Sequence, residues 1–272
     1  MTTTTADRGE IAWQMLRGGR RALIAWAAAF TALVALYAVI WPSIRGNNRW
    51  QELFNTLPQT YRAIFTAGGQ LDLSTPAGYL GIELMGFLGP ALMAVYAIST
   101  GASAIAGEEG RGGLEITLSA PVARGRVLAE RAAALLIDLT AVAAAAGLAM
   151  CVFSLAFGMH LAAGAIASAA AALGIFGFFA GAVALAVGAG TGSAALARAL
   201  AALVAVAAYL INALAQVTST LKPTRPLSPF YLLFGNEPLQ HGLRPAGALS
   251  VLAISLALLA AGGIMFAHRD LA

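Results

Sequence analysis

Six long apolar stretches alternate with short polar segments along this chain. A membrane-spanning helix needs about 20 apolar residues to cross about 30 Å of hydrocarbon. The pattern predicts six spans, at approximately residues 22–41, 79–106, 132–157, 163–189, 199–221 and 246–267. The short alternating segments that are typical of a β-barrel do not occur, and helices satisfy their own backbone groups in lipid. We therefore predict an all-α integral membrane protein in which residues 1–272 form a single transmembrane domain.

The composition agrees with this fold class. Of the 272 residues, 60% are apolar and only 10% are charged, and the mean hydropathy is +0.80. A soluble domain carries about 25% charged residues, so lipid must be the solvent for most of this apolar surface. Cys151 is the only cysteine of the chain, so an intrachain disulfide is excluded, and it lies inside a predicted span. The basic residues behind the net charge of +4 are dispersed, so we predict no nucleic-acid partner.

The distribution of Lys and Arg predicts the orientation, because cytosolic segments carry an excess of these residues. With a cytosolic N-terminus, the outer segments hold six of the 16 basic residues: Arg45, Arg49, Arg62, Lys222, Arg225 and Arg244. The other ten, including the cluster before the first span, are then cytosolic. We predict a multi-pass protein of the cell inner (plasma) membrane with both termini in the cytosol.

Two segments outside the spans have the spacing of amphipathic helices. Ile11, Trp13 and Leu16 precede a run of arginines, which predicts a short N-terminal helix that lies in the headgroup layer. Apolar residues at helical spacing over 50–65 predict a second such helix at the outer interface.

A charged hairpin, residues 107–131, joins the second and third spans on the predicted cytosolic side. Glycines at its start permit a sharp bend, and a short helix can follow in which Leu114 and Leu118 share one face. Pro121 should end that helix. Such a segment can dock in a groove of a soluble partner. The alternative is a solvated turn, but the other cytosolic connections are minimal, which favours docking.

The hairpin resembles the first cytoplasmic loop of ABC type-2 exporter permeases. The shared order is Glu-Glu-x-x-x-Gly-Leu-Glu-x-x-Leu-Ser-x-Pro-Val-x-Arg, carried by Glu108, Glu109, Gly113, Leu114, Glu115, Leu118, Ser119, Pro121, Val122 and Arg124. Weaker matches extend the resemblance over most of the chain, including Ser228-Pro229-Phe230 after the fifth span and Phe266-x-x-Arg269-Asp270-Leu271 at the end of the sixth.

The resemblance implies a six-span half-transporter that pairs with a second permease and with two ATP-binding subunits. The second permease would be an identical or a related chain. The segment from Glu108 to Pro121, together with Arg124, would be the coupling helix that contacts those subunits. ATP and Mg²⁺ would bind to the partner subunits, because this chain has no G-x-x-x-x-G-K-[ST] sequence. We expect no cofactor and no metal site on this chain.

Four polar residues inside the predicted spans are candidates for a substrate path: Glu83, Asp138, Asn212 and Gln216. An acid as deep as Asp138 should face the protein interior or water, because lipid solvates it poorly. The alternative for Asp138 is a structural partner on a neighbouring helix, such as a hydroxyl, an amide or a basic group. Glu83 can reach the outer headgroups or form part of an outer gate. Hydrogen bonds between helices are the alternative for Asn212 and Gln216.

These observations favour a non-catalytic permease of an ATP-driven exporter that moves a hydrophobic or amphipathic substrate outward by alternating access. One alternative is an ion-coupled secondary transporter, for which we would expect an internal repeat and broken helices that the sequence does not clearly show. A membrane-embedded enzyme is a further alternative. It would need converging catalytic groups, whereas the three histidines lie outside the spans or at their ends.

Overall fold

The computed structural model describes residues 9–46, 52, 56, 58, 73–110, 112 and 122–269, and within these residues it contains helices and no strand. Six helices are long and apolar enough to cross a membrane, which confirms the predicted fold class. The six long helices are α1 (Glu10–Ile44), α2 (Pro76–Gly107), α3 (Arg124–Ala156), α4 (Ala163–Thr191), α5 (Ala194–Leu214) and α7 (Pro245–His268). A short helix, α6 (Pro229–Phe234), lies between α5 and α7. Within α2, the stretches Gly81–Leu88 and Ser103–Gly107 have π-helical hydrogen bonding.

Two predicted boundaries differ from the structure. The separate N-terminal interfacial helix is not confirmed, because α1 runs without a break from Glu10 to Ile44. The fifth predicted span extends to residue 221, whereas α5 ends at Leu214 and a proline-bearing 3₁₀ helix, Ser219–Leu227, follows. The predicted outer helix over 50–65 and the predicted coupling helix fall on parts of the chain that the structure describes only at residues 52, 56, 58 and 112.

Helices α1 and α3 lie side by side, run in the same direction and keep one register. The Glu130 carboxylate of α3 accepts a hydrogen bond from the Ile11 amide of α1, at 3.1 Å and 119 positions away along the chain. Two turns further on, Asp138 Oδ2 lies 3.6 Å from the point where a Cβ on Gly19 would sit. This second pair has the same separation in sequence, so the two helices form one continuous parallel pair.

Helix α4 is the central helix of the bundle, and it meets its neighbours at positions with small residues. A Cβ on Gly101 of α2 would lie only 2.4 Å from the Gly181 carbonyl oxygen of α4. On another face of α4, a Cβ on Gly262 of α7 would lie 2.7 Å from the Cα of Ala186. The backbones therefore touch directly, which is how packing replaces the hydrophobic effect between helices in lipid.

The segment between α5 and α7 folds back into the bundle. The ring centroid of Phe230 in α6 lies 5.6 Å from that of Phe176, halfway along α4, and 5.2 Å from that of Tyr209 in α5. The Ser228 hydroxyl begins α6 by accepting from the Tyr231 amide, and it donates to the Ala208 carbonyl at 2.6 Å. The segment between α5 and α7, which the sequence predicts to lie on the outer side, thus contributes Phe230 to the core.

We call the charged end of the bundle the end at which α1, α3 and α5 begin and α2, α4 and α7 stop. The other is the far end. Contacts of α3 define the charged end, because Glu130 reaches the start of α1 and Arg124 reaches Phe266 near the end of α7. The helices place most of the candidate functional groups at this end.

Candidate functional site: the charged end of the bundle

Two acids at the end of α2 are tied to neighbouring helices. The Glu109 carboxylate forms an ion pair with the guanidinium of Arg269, which directly follows α7. The Glu108 carboxylate lies 3.9 Å from the guanidinium of Arg131 in α3. The point at which the chain leaves α2 is therefore fixed to both α7 and α3.

Arg269 and Arg124 bind the ends of two helices. Arg269 donates to the Ala189 carbonyl of α4 at 3.0 Å, and Arg124 donates to the Phe266 carbonyl of α7 at 3.0 Å and to the Arg269 carbonyl. Carbonyls in the last turn of a helix have no intrahelical donor, and cations are favourable there. Both guanidinium groups also lie within 6 Å of the buried Phe266 ring, at 5.7 and 5.9 Å from its centroid.

Glu130 provides the N-terminal cap that α1 lacks. The residue before α1 is Gly9, which has no capping side chain. Glu130 Oε2 instead accepts from the amides of Ile11 and Ala12 at 3.1 and 3.4 Å. Arg126, one turn earlier in α3, donates to the other carboxylate oxygen at 2.9 Å. A negative charge at the start of a helix is stabilising, so this contact holds the start of α1 against α3.

Three of the predicted coupling residues, Glu108, Glu109 and Arg124, are therefore gathered at the charged end. The others, Gly113, Leu114, Glu115, Leu118 and Pro121, lie outside the described residues. Sequence reasoning did not single out Arg269 as a site residue, although it links Glu109 to α4 and its own carbonyl binds Arg124. Its place in the Phe266-x-x-Arg269 pattern at the end of the sixth span was the available signal.

A polar cavity of about 710 Å³ opens between α1, α2 and α3, with Glu108 and Arg131 among its lining residues. Trp26 of α1 and Tyr96 of α2 form an aromatic part of its wall, with their ring centroids 5.5 Å apart. Asp138 of α3 also lines it and is 1% exposed, so the prediction that this acid faces the interior is correct. Its Oδ1 has no hydrogen-bond partner among the described residues.

Glu83 lies towards the far end, within the first π-helical stretch of α2. The Tyr37 side chain of α1 lies next to its carboxylate, and the Tyr79 hydroxyl donates to the Tyr37 carbonyl at 3.3 Å. Tyr37 is 18 residues beyond Gly19, the α1 neighbour of Asp138, so the two acids are about 27 Å apart along α1. The structure does not bring them together.

Asn212 and Gln216 lie at the far end of α5, on another side of the bundle. The buried Asn212 accepts a hydrogen bond from Arg225 of the 3₁₀ helix at 3.1 Å. Gln216 lies two residues past α5 and lines a cavity of about 410 Å³ with Lys222 and Arg225. Burial lowers the pKa of the Arg225 guanidinium, and the neighbouring Tyr231 opposes that shift. Within the described chain, the four candidate path residues therefore occupy three separate places.

Comparison with known proteins identifies a family of membrane transporters. A family model described as an ABC-2 family transporter protein matches residues 10–271. A search of curated proteins finds no match. Since the family match extends over nearly all of its 272 residues, this chain belongs to the ABC-2 family of transporter proteins.

Proposed function

We propose that this chain is the membrane-spanning permease subunit of an ATP-driven exporter, in which two partner subunits bind and hydrolyse ATP with Mg²⁺. The observation that carries the proposal is the family match over six spans, combined with the ion-paired end of α2 from which the predicted coupling segment departs. The chain itself would move a hydrophobic or amphipathic substrate outward and would catalyse no reaction. Both termini would then be cytosolic, in the inner membrane of the cell.

The contacts at the charged end explain how such coupling would work. The connection after α2 starts at Glu108 and Glu109, which are paired with Arg131 and Arg269. It ends at Arg124, which is bonded to the end of α7. A partner that moves residues 110–123 would therefore pull on α2 and α3 directly, and through Arg269 on α4 and α7 as well. The ATP-driven approach of two partner subunits would rearrange the spans through these contacts.

A second permease, identical or related, would complete the transporter. One chain provides one set of six spans, and the two ATP-binding subunits of the proposed assembly each need one coupling segment to dock on. The stoichiometry is measurable by native mass spectrometry of the purified complex. A complex with two permease chains and two ATP-binding chains is expected, whereas a single permease chain bound to one ATP-binding subunit would contradict the proposal.

Co-purification from the native host tests the proposal most directly. We would tag the chain, solubilise it gently and compare it with Leu114→Arg, which places a charge in the predicted docking face. Leu227→Arg is the matched control, because Leu227 is 76% exposed and lies at the far end. A stoichiometric partner with a phosphate-binding loop should be lost in the first variant and kept in the second.

The opposite results are equally clear. Equal recovery of the partner with both variants would place the docking surface elsewhere on the chain. A chain that purifies alone and drives uptake in vesicles without ATP would overturn the exporter proposal and favour the ion-coupled transporter.

A further inference from the structure

The cavity between α1, α2 and α3 contains one negative charge without a counter-charge among the described residues. Three charged side chains line it: Glu108, Arg131 and Asp138. Glu108 and Arg131 lie 3.9 Å apart and offset each other. Asp138 is seven residues beyond Arg131, which is about 10 Å along α3, too far for an ion pair with it. The net charge that these residues give the cavity is therefore that of the Asp138 carboxylate.

Burial makes this carboxylate costly. Asp138 is 1% exposed, and its Oδ1 makes no hydrogen bond within the part of the chain that the structure describes. A buried carboxylate is retained in proteins when a cation or several donors compensate for its lost hydration. The neighbouring position on α1, Gly19, has no side chain to offer this carboxylate. A cation in the cavity would supply the compensation.

The remaining walls indicate what kind of cation fits. Trp26 and Tyr96 present aromatic surface, and aromatic faces attract organic cations. Ser99, Thr100 and Ser103 add hydroxyl groups on the α2 side, the last of them in the π-helical stretch. The volume of about 710 Å³ is that of a small-molecule site.

A bare metal ion fits the cavity poorly. Calcium needs six to eight oxygen ligands at short distances, and Asp138 is one carboxylate in a wide space. Among the described residues, no group of three or more His, Cys, Asp or Glu side chains is arranged to hold a metal. The chain's own cation in the cavity, Arg131, already faces Glu108.

We propose that this cavity binds a lipophilic organic cation, with the Asp138 carboxylate as its counter-ion and with Trp26 and Tyr96 as its aromatic wall. This site goes beyond the proposed exporter function, because binding to it requires neither ATP nor a partner subunit. A failure of the co-purification test would leave it untouched, and a failure of the binding test would leave the exporter proposal untouched.

Equilibrium binding of radiolabelled tetraphenylphosphonium to the purified full-length chain tests the proposal. The wild-type chain should bind it saturably at one site per chain. Asp138→Asn keeps the size of the side chain and removes its charge, and it should weaken the Kd at least tenfold. Glu10→Gln is the matched control, because this exposed acid at the start of α1 does not line the cavity, and its Kd should stay within twofold of wild type. Tetraphenylborate, which has the same shape and the opposite charge, should show no saturable binding in parallel samples.

A second variant keeps the test decisive if Asp138→Asn fails to fold. Gly18 lines the cavity, and a Cβ added there would meet no atom within 4 Å. Gly18→Phe should therefore be accepted by the fold, fill the cavity and abolish saturable binding. Equal tetraphenylphosphonium binding by wild type and Asp138→Asn, or by wild type and a monodisperse Gly18→Phe, would overturn the proposal. Saturable binding of tetraphenylborate with the same Kd would also overturn it, because the site would then recognise shape and not charge.

Discussion

Replacing Arg269 by methionine should weaken the whole charged end of the bundle. The Arg269 side chain donates to the Glu109 carboxylate and, at 3.0 Å, to the Ala189 carbonyl. Methionine matches only the apolar stem of arginine, so it removes both bonds and the contact between the guanidinium and the Phe266 ring. Hydrogen bonds that involve a charged group contribute about 1.5–3 kcal/mol each. Because the Arg269 and Glu109 side chains are 17% and 21% exposed, water recovers part of this, and we expect a net loss of about 2–4 kcal/mol.

This loss is measured by heating the detergent-solubilised chain and by using size-exclusion chromatography to determine how much folded protein remains at each temperature. For a domain of this size, 1 kcal/mol corresponds to about 2–4 °C, so Arg269→Met should lower the Tm by about 4–16 °C. Arg198→Met is the control: it is the same substitution at an exposed position near the start of α5, at the same end of the bundle. Its free energy of unfolding should change by less than about 0.5 kcal/mol.

A double-mutant cycle with Glu109→Gln assigns the effect to the ion pair. If the pair acts as described, the two substitutions are not additive, and the coupling energy is about 1–2 kcal/mol. A coupling energy near zero, or equal Tm changes for Arg269→Met and Arg198→Met, would refute the reasoning. The charged end would then hold together without this pair.

Three further substitutions test other contacts. Glu130→Ala removes the acceptor for the Ile11 and Ala12 amides of α1, so these amides should exchange hydrogen for deuterium at least several-fold faster, while amides in the middle of α1 keep their rates. Arg225→Ala leaves a buried amide oxygen without this donor and should cost about 1–3 kcal/mol of stability, whereas Lys222→Ala, at an exposed neighbour, should cost almost nothing in the same melting assay. Gly101→Ala drives a Cβ into the backbone of α4 and should cost about 3 kcal/mol or abolish the monodisperse peak, whereas Gly164→Ala, where a Cβ meets nothing within 4 Å, should leave the peak unchanged.

Apolar run length was sufficient to predict the six spans, because each run meets the requirement of the bilayer by itself. The boundaries that differ from the structure lie where distant segments of the chain make contact. Residues 10–21 look like a separate interfacial helix, since arginines follow the first apolar residues. In the structure they continue into α1 without a break, and Glu130, 119 positions later, caps the start of the helix. No local pattern encodes that contact.

Some features of the candidate site could likewise be predicted from the sequence, and others depend on how the helices pack. The interior position of Asp138 follows from the cost of a charge in lipid, so the sequence was enough to predict it. That Asp138 lines a cavity with Trp26 and Tyr96 follows only from the register of α1 against α3 and from the packing of α2. For Asn212, the sequence offered a hydrogen bond between helices as the alternative to a place on the substrate path. Arg225 of the 3₁₀ helix donates to Asn212, because the segment after α5 folds back towards the bundle.

The parallel pairing of α1 and α3 has a mechanical consequence. Helix α3 has 33 residues and is about 50 Å long, so a rigid tilt of about 5° about its charged end would displace its other end by about 4 Å. With Glu130 holding α1 in register, α1 would have to swing with it. The pair would then move as one rigid body. A small rotation next to residues 107–131 would shift its other end, on the opposite face of the membrane, by more than the width of a water molecule.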